Sequence, residues 1–464
     1  MKDIVVFFDP TIELKPLSIN DTEIKYPETT FKYSKFAGEI SPFCSINGAK
    51  FYGENITYFE LDVASFIPTV SISIHDSSGL LIGEYYPMDG DVLQVYMRSQ
   101  NSDFKDIRQD FKILNVTQQH GGNQGGNFTT FMITGILDVP MLFVDRLKSF
   151  SSMTSFETLM LIAKELKLGF ASNVTSTNDR MTWLCPSMDY HDMMLQEIMP
   201  YIYKDDSSFF TLYIDERYYL TLVEINSMIV LENNVDLESS SSIFNAEWLQ
   251  DDNDAKVFEN SFFLSNSKLA YNTPNQITVY VPISDSGNIS SRNGYRTYLQ
   301  YYDKEAKDYA QYFIDTLNTL NTTDDYKIMK GNADQDYTEY IRTKWMNSQN
   351  GRNVHPNYMH AVVQNTQNML EISKFNLLID LITVNTNLYR YKIAPILLSN
   401  WNSEFKDQRM AQDNKERSSF IIDQIWSGWY TVSGIRYIYS KNRMYNQIVC
   451  SKREFKIPEI NYNI

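Results

Sequence analysis

One short stretch of the sequence occurs twice: residues 101–106 read Asn-Ser-Asp-Phe-Lys-Asp and residues 402–407 read Asn-Ser-Glu-Phe-Lys-Asp. Each copy follows a strand-like apolar run, at 92–97 in the first half and at 393–398 in the second. Each copy also precedes another strand-like run that begins at a phenylalanine. A match within the same strand-loop-strand setting predicts that the chain contains a duplicated β unit, because internal repeats in sequence mark repeated architecture.

The composition favours a mainly β protein. Aromatic residues make up 14% of the chain, with 32 tyrosines and 27 phenylalanines. Aromatic side chains fit the pleated surface of a sheet, and they are enriched at protein interfaces. A chain of 464 residues is too long for one ordinary core. We therefore expect an α+β fold, mainly β, with several domains.

Local patterns place the strands. Alternating apolar residues predict strands in the first half at 56–63, 69–74, 92–97, 111–117 and 128–137. The last two are expected to form a long hairpin, and its glycine-rich connection 118–127 is expected to be a flexible, polar tip. A closing hairpin at 430–439 and 447–452 mirrors the first one.

After Ser149 the spacing of the apolar residues changes from the alternation of strands to the spacing of a helix. Thr154 and Glu157 have the spacing of a capping box, so a helix is expected to begin there and to end at Gly169. Further helices are expected at about 189–199, 303–319 and 357–371. The hairpin formed by 209–214 and 218–225 is expected to complete the first β domain.

These patterns divide the chain into an arm, two β domains and three other segments. The expected segments are an N-terminal arm that lies over a neighbour (1–50), a first β domain (51–148 with 201–230), a small helical insertion (149–200), an acidic linker (231–256), a mixed α/β accessory region (257–374) and a second β domain (375–464).

Charge and cysteine content exclude several classes of protein. The chain has 41 Lys and Arg against 57 Asp and Glu, a formal charge of −16. Tight binding to a phosphate backbone depends on Lys and Arg, so nucleic acid is not expected as a tight partner. Cys44, Cys185 and Cys450 are too few and too far apart for a disulfide framework or a Cys-based zinc site. This favours folding in a reducing cytosol. No apolar window is long enough to predict a membrane-spanning helix.

Candidate chemical sites are weaker than their structural alternatives. The glycine-rich tip lacks the Lys-Ser/Thr of a phosphate-binding loop. His191 with Asp189 and Asp192 suggests a metal cluster, but side chains at this spacing are expected on different helix faces. The acidic pairs at 205–206 and 215–216 suggest the carboxylates of a glycosidase, but both lie at expected turns, where acids are solvated. We therefore predict no catalytic residue, no cofactor and no metal site.

Several motifs, taken together, resemble one protein family. They include Thr154-Ser155-Phe156-Glu157-Thr158-Leu159, Ile162-Ala163-Lys164-Glu165-Leu166, Thr177-Asn178-Asp179, Thr182-Trp183, Tyr218-Tyr219-Leu220 and Trp426-Ser427-Gly428-Trp429-Tyr430. As a set they resemble the baseplate central hub subunit of contractile-tailed bacteriophages, which is related to the hub part of type VI secretion spike proteins. The resemblance is densest over about 85–225 and returns near the C-terminus.

The resemblance implies a non-enzymatic structural protein of the virion tail baseplate, assembled in the host cytoplasm. It implies two tail-tube-like antiparallel β-barrel or sandwich domains per chain. In a homotrimer, six such domains would match a sixfold tail tube on one side, while a threefold spike docks on the other. The implied partners are the tail tube protein, the central spike protein and the baseplate wedge proteins, with DNA only passing through the channel. An acidic channel wall would repel the DNA phosphates.

Two other functions stay open. One is a hub or spike component of a type VI secretion system or another contractile injection system. The other is a glycan-binding or glycan-degrading phage tail protein, which the surface-type Tyr, Trp and Asn residues suggest and which loss of activity on mutating Asp215 or Glu216 would favour. For the hub function, the residues expected at interfaces lie in the hairpin tip and in the repeat: Gln119, Gly121, Gly122, Asn123, Gln124, Gly125, Gly126, Asn101, Phe104, Asn402 and Phe405.

Overall fold

The computed structural model describes residues 4–16, 40–99, 104–123, 126–228, 262–264, 275–285, 296–303, 308–314, 341–346, 354–373, 375–398 and 426–452. Most of the described elements are strands, and most strands belong to one large sheet that curls into an open half-barrel. The mainly β fold expected from the sequence is confirmed.

The strands of the first half are Val5–Phe8 (β1), Phe43–Ile46 (β2), Ala49–Tyr52 (β3), Ile56–Asp62 (β4), Thr69–His75 (β5), Val92–Met97 (β6), Ile107–Asn123 (β7), Gly126–Leu137 (β8), Arg146–Met153 (β9), Gly169–Ser172 (β10), Met181–Met188 (β11), Phe210–Ile214 (β12) and Tyr219–Glu224 (β13). Those of the second half are Phe262–Leu264 (β14), Ile277–Ser284 (β15), Arg296–Asp303 (β16), Asp308–Ile314 (β17), Ile341–Met346 (β18), Phe375–Leu381 (β19), Ile393–Leu398 (β20), Gly428–Ser440 (β21) and Arg443–Lys452 (β22). The longer helical segments are Ser155–Glu165 (α1), Tyr190–Asp192 (α2), which continues through a π turn at Met193–Ile198 and a 3-10 turn at Met199–Tyr201, and Tyr358–Glu371 (α3).

Five strands of the first half form an antiparallel set within the thirteen-stranded sheet, in the order β6-β7-β8-β5-β4. We call this set the first unit. Buried side chains alternate with more exposed ones along β5, whereas β6 is buried at five consecutive residues. Phe59, Phe111 and Phe131 are fully buried. The hairpin of β2 and β3, most of which lies in the range expected to be the N-terminal arm (1–50), extends this unit at the edge of β6.

Five strands of the second half repeat the same arrangement in the order β20-β21-β22-β19-β15, again with antiparallel pairing throughout. We call this set the second unit. In chain order, β15, β19, β20, β21 and β22 take the places of β4, β5, β6, β7 and β8. β15 was expected in the accessory region, but it belongs to this unit. Two five-stranded sets with one connectivity are the expected product of a duplication.

Irregular features of the strands are repeated as well. β7 and β21 each carry one bulge at the same point of their hairpins, at Leu114 and at Ser433. β4 and β15 each carry one bulge, at Thr57 and at Thr278. Both threonine hydroxyls donate a hydrogen bond to a backbone carbonyl of the adjacent strand, at 3.2 and 3.0 Å. Bulges are specific local features, so their recurrence supports residue-by-residue equivalence.

The turn before the long hairpin is also shared. Gly90 N donates to Ile113 O at 2.7 Å, and Tyr391 N donates to Val432 O at 2.6 Å. Gly90 and Tyr391 both have positive φ, at 87° and 63°. Glycine adopts this conformation freely, whereas a tyrosine does so only where its surroundings hold it. Tyr391 is therefore a position where the fold overrides the local preference of the residue.

The duplicated stretch is in register with these two units. Ile393, the first residue of β20, lies 301 positions after Val92, the first residue of β6, and Asn402 lies 301 positions after Asn101. The predicted duplication is thus confirmed by the strands that precede the two copies. Residues 101–103 and 402–407 themselves lie outside the described residues. After the second copy the connection is longer than expected, since Tyr430 and not Phe420 occupies the position of Phe111.

A small unit of sheet and helix follows β8. Its four-stranded sheet has the order β1-β10-β13-β12, and β9 pairs with β11 beside it. The hairpin of β12 and β13 was expected to complete the first β domain. It belongs to this small unit instead, because β13 pairs in parallel with β10 and β1 covers the other edge of β10. The described part of the N-terminal arm therefore lies on its own chain.

Helix α1 begins at the predicted capping box. Thr154 Oγ1 accepts from Glu157 N at 3.2 Å, and Thr154 N donates to the Glu157 carboxylate at 2.9 Å. The helix ends at Glu165, and the chain then turns at Lys167, which has a φ of 57°, and not at Gly169 as expected. Gly169 is needed for a different reason, because a Cβ there would lie 2.4 Å from the ring of Tyr219.

Two further expectations concern the accessory region. A helix was expected at 303–319, but Asp308–Ile314 is strand β17, which pairs with β16 in a three-stranded sheet completed by β18. Tyrosine, phenylalanine and isoleucine in 308–314 have high strand propensity, as does the tyrosine-rich partner β16. The helix expected at 357–371 is present as α3. The acidic linker 231–256 lies outside the described residues.

Candidate assembly interface

The two units join edge to edge inside the chain. β4 of the first unit pairs with the second half of β21, and the register places Asp62 opposite Arg436 and Tyr58 opposite Ser440. The first half of β21 pairs with β20, so the two strands share one edge of β21. Val63 N extends this contact by donating to Ile435 O at 2.9 Å. We call this contact the internal joint.

Charge and close packing specify the internal joint. Arg436 Nε lies 3.1 Å from the Asp62 carboxylate and 3.7 Å from that of Glu60. Gly434 allows the two units to approach, because a Cβ at this position would lie 2.7 Å from Cβ of Ala64. Any larger side chain would force the units apart.

A buried arginine, Arg390, bonds to both units at the internal joint. Arg390 donates to Ser65 O of the first unit at 2.7 Å and to Ser433 O of the second unit at 3.1 Å. Its guanidinium also lies over the ring of Tyr213 in the small unit, 4.3 Å from the ring centroid. Arg390 is 8% exposed. One buried cation therefore connects the first unit, the second unit and the small unit.

Two acids lie beside this arginine, on the turn between β12 and β13. Glu216 is buried, and its backbone carbonyl accepts from Gln109 of the first unit at 2.8 Å. Arg217 donates to Thr386 O of the second unit at 2.7 Å. Burial, together with the neighbouring Glu216, raises the pKa of Asp215 to about 7. Burial likewise raises the pKa of Glu216. The acids were expected to be solvated, but their turn packs between the units.

One edge of the second unit is open. β15 pairs with β19, and among the described residues no strand pairs with its other side. Its outward side chains are apolar yet exposed: Val279, Val281 and Ile283 are 51%, 45% and 44% exposed. An exposed apolar edge strand is an aggregation hazard unless another chain covers it. The sequence carried a signal for this edge, since the run Ile-Thr-Val-Tyr-Val-Pro-Ile lacks polar alternation and contains a proline.

One edge of the first unit is open as well. The first half of β7 pairs with β6 up to Lys112, and Ile113 bonds to the turn at Gly90 and Asp91. Beyond Ile113, the described backbone makes no hydrogen bond at this edge. Leu114 on β7 and Met132 on the neighbouring β8 are 56% and 53% exposed.

The residues expected at interfaces are distributed unevenly. Gln119, Gly121, Gly122, Asn123 and Gly126 lie on β7 and β8, because the hairpin continues as strand through most of the stretch expected to be a flexible tip. Gln119 is exposed and lies on the open edge of β7. Phe104 is buried in the core, where it packs against the chain's own side chains. The others, Gln124, Gly125, Asn101, Asn402 and Phe405, lie outside the described residues.

The residues considered for a metal do come together. Donor atoms of Asp189, His191 and Asp192 lie within 4.8 Å of one another, contrary to the expectation that they face apart. Their contacts have a structural explanation. Asp189 caps α2 by accepting from Asp192 N at 2.7 Å, and the His191 ring packs against Phe66. Local capping therefore accounts for the cluster, which carries no metal assignment.

Within the described residues, no helix combines the length and apolar character needed to cross a membrane. The three cysteines are free and buried.

The chain resembles known proteins in its fold and not in its sequence. No protein-family model and no curated protein matches the chain. Among solved structures, the 43 kDa tail protein of prophage MuSo2 from Shewanella oneidensis is similar over 89% of this chain and 98% of its own, with 7% identity and a TM-score of 0.50. The tail protein from Neisseria meningitidis MC58 is similar over 89% and 97%, with 10% identity and a TM-score of 0.47.

A third solved structure is the Escherichia coli c3393 protein, described as a type VI secretion component with structural similarity to the T4 tail proteins gp27 and gp5. It covers 90% of this chain and 77% of its own, with 7% identity and a TM-score of 0.41. The predicted resemblance is confirmed at the level of the fold, for which the prophage tail protein is the reference, since its TM-score is the highest of the three.

Proposed function

We propose that the protein is the structural hub of a phage tail baseplate. In this role three copies form a ring that adapts the sixfold tail tube to a threefold central spike, and the ring surrounds the DNA channel. The function is non-enzymatic. It rests on the assembly of β units, and no step of chemistry is assigned to the chain.

The observation that supports this proposal is the duplicated unit. Two units of one connectivity lie side by side in each chain, and their bulges and turns coincide. Three chains would therefore present six similar units, which is the number that a sixfold tube needs to meet. The fold shared with a prophage tail protein supports a role in a tail.

The charge balance fits a channel that DNA passes without binding. A formal charge of −16 repels phosphates, so nucleic acid would not be held on the wall. The long hairpin of β7 and β8 is the best candidate for contact with the tube or a neighbouring chain. Its counterpart in the second unit turns earlier, since Ser440 and Arg443 occupy the positions of Gly121 and Phe128.

Mass in solution tests the ring. Light scattering at increasing protein concentration is expected to show a species of three chains. A mass of one chain at every concentration would contradict the hub. Deletion of residues 121–126 tests the hairpin separately, and we expect a folded protein that joins poorly to tube or neighbour. An unfolded product would show that the tip is needed for folding instead.

A further inference from the structure

We infer that copies of this chain join head to tail by strand pairing, with β15 of one copy laid along the second half of β7 of the next copy. The inference rests on the proposed ring, and it names the two edges and the register in which they meet. Its source is the internal joint, where the same two positions of the repeated fold already pair within one chain.

The internal joint connects the β4 position of one unit to the β21 position of the other. The equivalent of β4 in the second unit is β15, and the equivalent of β21 in the first unit is β7. These two strands provide the two open edges described above. Two copies of a unit in one chain make this contact once internally, and among the described residues one donor edge and one acceptor edge have no strand partner. A second copy of the chain has the complementary edges.

The bulges fix the register. Leu114 corresponds to Ser433, so Thr117 corresponds to Arg436 and Gly121 to Ser440. Thr57 corresponds to Thr278, so Asp62 corresponds to Ile283 and Glu60 to Val281. Transferring the pairs of the internal joint to the open edges gives the pairs between copies: Thr117 with Ile283, Gln118 with Pro282, Gln119 with Val281, His120 with Tyr280, and Gly121 with Val279.

Backbone geometry agrees with this register at all but one position. Val63 N bonds across the internal joint, and alternate residues of an antiparallel strand point the same way. The backbone N–H and C=O groups of the corresponding residues, Tyr280, Pro282 and Ser284, therefore face the side of β15 that lies away from β19. Pro282 has no N–H to donate, so its carbonyl alone would bond. A proline at this position also discourages indiscriminate pairing of the edge.

Side chains distinguish the two joints. The row across the internal joint is polar, since Arg436 bonds to Asp62 at 3.1 Å on one side and lies 3.4 Å from the Gln447 amide oxygen on the other. The equivalent row between copies consists of Ile283, Thr117 and Met132. Ile283 and Met132 are 44% and 53% exposed in the single chain, and the joint would cover both. A mixed joint would place the charge of Arg436 or Asp62 against this apolar row. Such a mismatch is unfavourable, so each edge favours its own partner.

Cysteine pairs test the register in the full-length chain. Gln119→Cys with Val281→Cys places two thiols directly opposite each other across the inferred joint, within the range that a disulfide spans. Mild oxidation is expected to give reducible products of two and three chains on a non-reducing gel. The native cysteines are buried and provide the background. Glu60→Cys with Ile438→Cys is the matched positive control, because these residues pair in the internal joint and should cross-link within one chain.

A shifted pair provides the negative control. Gln119→Cys with Ile283→Cys joins diagonal neighbours about 7–8 Å apart, which a disulfide does not span. Equal cross-linking of the opposite and the shifted pairs would overturn the register.

Light scattering separates the inference from the proposed function. A ring of three chains in which the 119–281 pair stays reduced, while the internal control closes, would overturn the inferred joint and leave the hub intact. A single-chain mass at all concentrations would overturn the hub, and with it the joint.

A charge at the edge gives a second measurement. Val281→Lys is expected to weaken association about tenfold or more, since a lysine on an edge strand opposes pairing with another strand. Val144→Lys is the matched control, because Val144 has the same 45% exposure and lies on neither edge. Unchanged association of Val281→Lys would contradict the joint.

Discussion

The two β units have the same connectivity and the same bulges, but they differ in what covers their edges. In the second unit, the outer half of β21 is covered by β4, fixed by Arg436 and supported by the buried Arg390. In the first unit, the equivalent half of β7 is open, and the position of Arg390 is occupied by the exposed Asp89. The two equivalent strands β4 and β15 differ in the same way. β4 pairs with β21, whereas among the described residues no strand pairs with the outer side of β15.

In the proposed assembly, this difference is what turns a duplication into an assembly surface. Identical units would form identical joints, and a chain could not distinguish its own partner edge from that of a neighbour. Here the internal joint contains charges and a buried cation, whereas the open edges present apolar side chains. The internal contact is thereby specified in each chain before copies meet.

The largest effect is expected from removing the cation under the internal joint. Arg390→Met would leave the carbonyls of Ser65 and Ser433 without their side-chain donor, and Glu216 would keep one of its two neighbouring cations, Arg217 at 3.6 Å. Breaking a buried charge cluster costs about 3–5 kcal/mol. Urea unfolding followed by circular dichroism is the measurement.

Asp89→Asn is the control for this change, because Asp89 occupies the equivalent position of the first unit and is exposed. Its unfolding free energy is expected to stay within about 0.5 kcal/mol of the original. Similar losses from both variants would show that the two units do not differ in the proposed way.

The buried turn between β12 and β13, which carries Asp215 and Glu216, should make stability depend on pH. The pKa of Asp215 is raised to about 7 in the folded chain by burial and by Glu216, so the folded state binds a proton that the unfolded state releases. Stability should therefore rise as the pH falls from above 7 towards 4. Asp215→Asn keeps the side-chain oxygen that accepts from Arg217 N and Tyr219 N but removes the charge.

The variant should gain on the order of 1–3 kcal/mol at pH 8 and lose the part of the dependence between pH 7 and 4 that Asp215 contributes, while Glu216, whose pKa is also raised, keeps its own part. Unfolding at a series of pH values measures this, and Asp145→Asn, at an exposed acid, is the control. A slope that is unchanged in Asp215→Asn would place the titrating group elsewhere.

Local patterns predicted much of this fold. The strands, the capping box and the duplication depend on neighbours in sequence or on identical residues, so the sequence displays them. The internal joint depends on Asp62 and Arg436, which are 374 positions apart, and no periodicity connects them. The turn at 215–216 was predicted as a turn, but its burial depends on which elements pack over it. The open edge of β15 was overlooked, although its lack of polar alternation was a usable signal.

A smaller effect is expected from the close approach at Gly434. Gly434→Ala places a Cβ 2.7 Å from Cβ of Ala64, so the two units must shift, and overpacking of this kind costs about 1–3 kcal/mol. Asn115→Ala is the matched control, because Asn115 occupies the equivalent position on the open edge and is exposed. Urea unfolding should separate the two variants. If Gly434→Ala is as stable as Asn115→Ala, the internal joint is looser than its geometry indicates.

The smallest effect concerns the ion pair on the surface of the internal joint. Arg436 and Asp62 are 38% and 20% exposed in their side chains, and partly exposed pairs contribute about 0.2–1 kcal/mol. A double-mutant cycle with Arg436→Met and Asp62→Asn isolates this coupling from the other contacts of each residue. The coupling should fall as salt is added, since screening weakens exposed pairs. The equivalent cycle at Thr117 and Ile283, two residues that meet only between copies, should show no coupling in the unfolding of a dilute single chain. A coupling of equal size at both places would mean that the second joint also forms within one chain, and the distinction between a closed and an open edge would be lost.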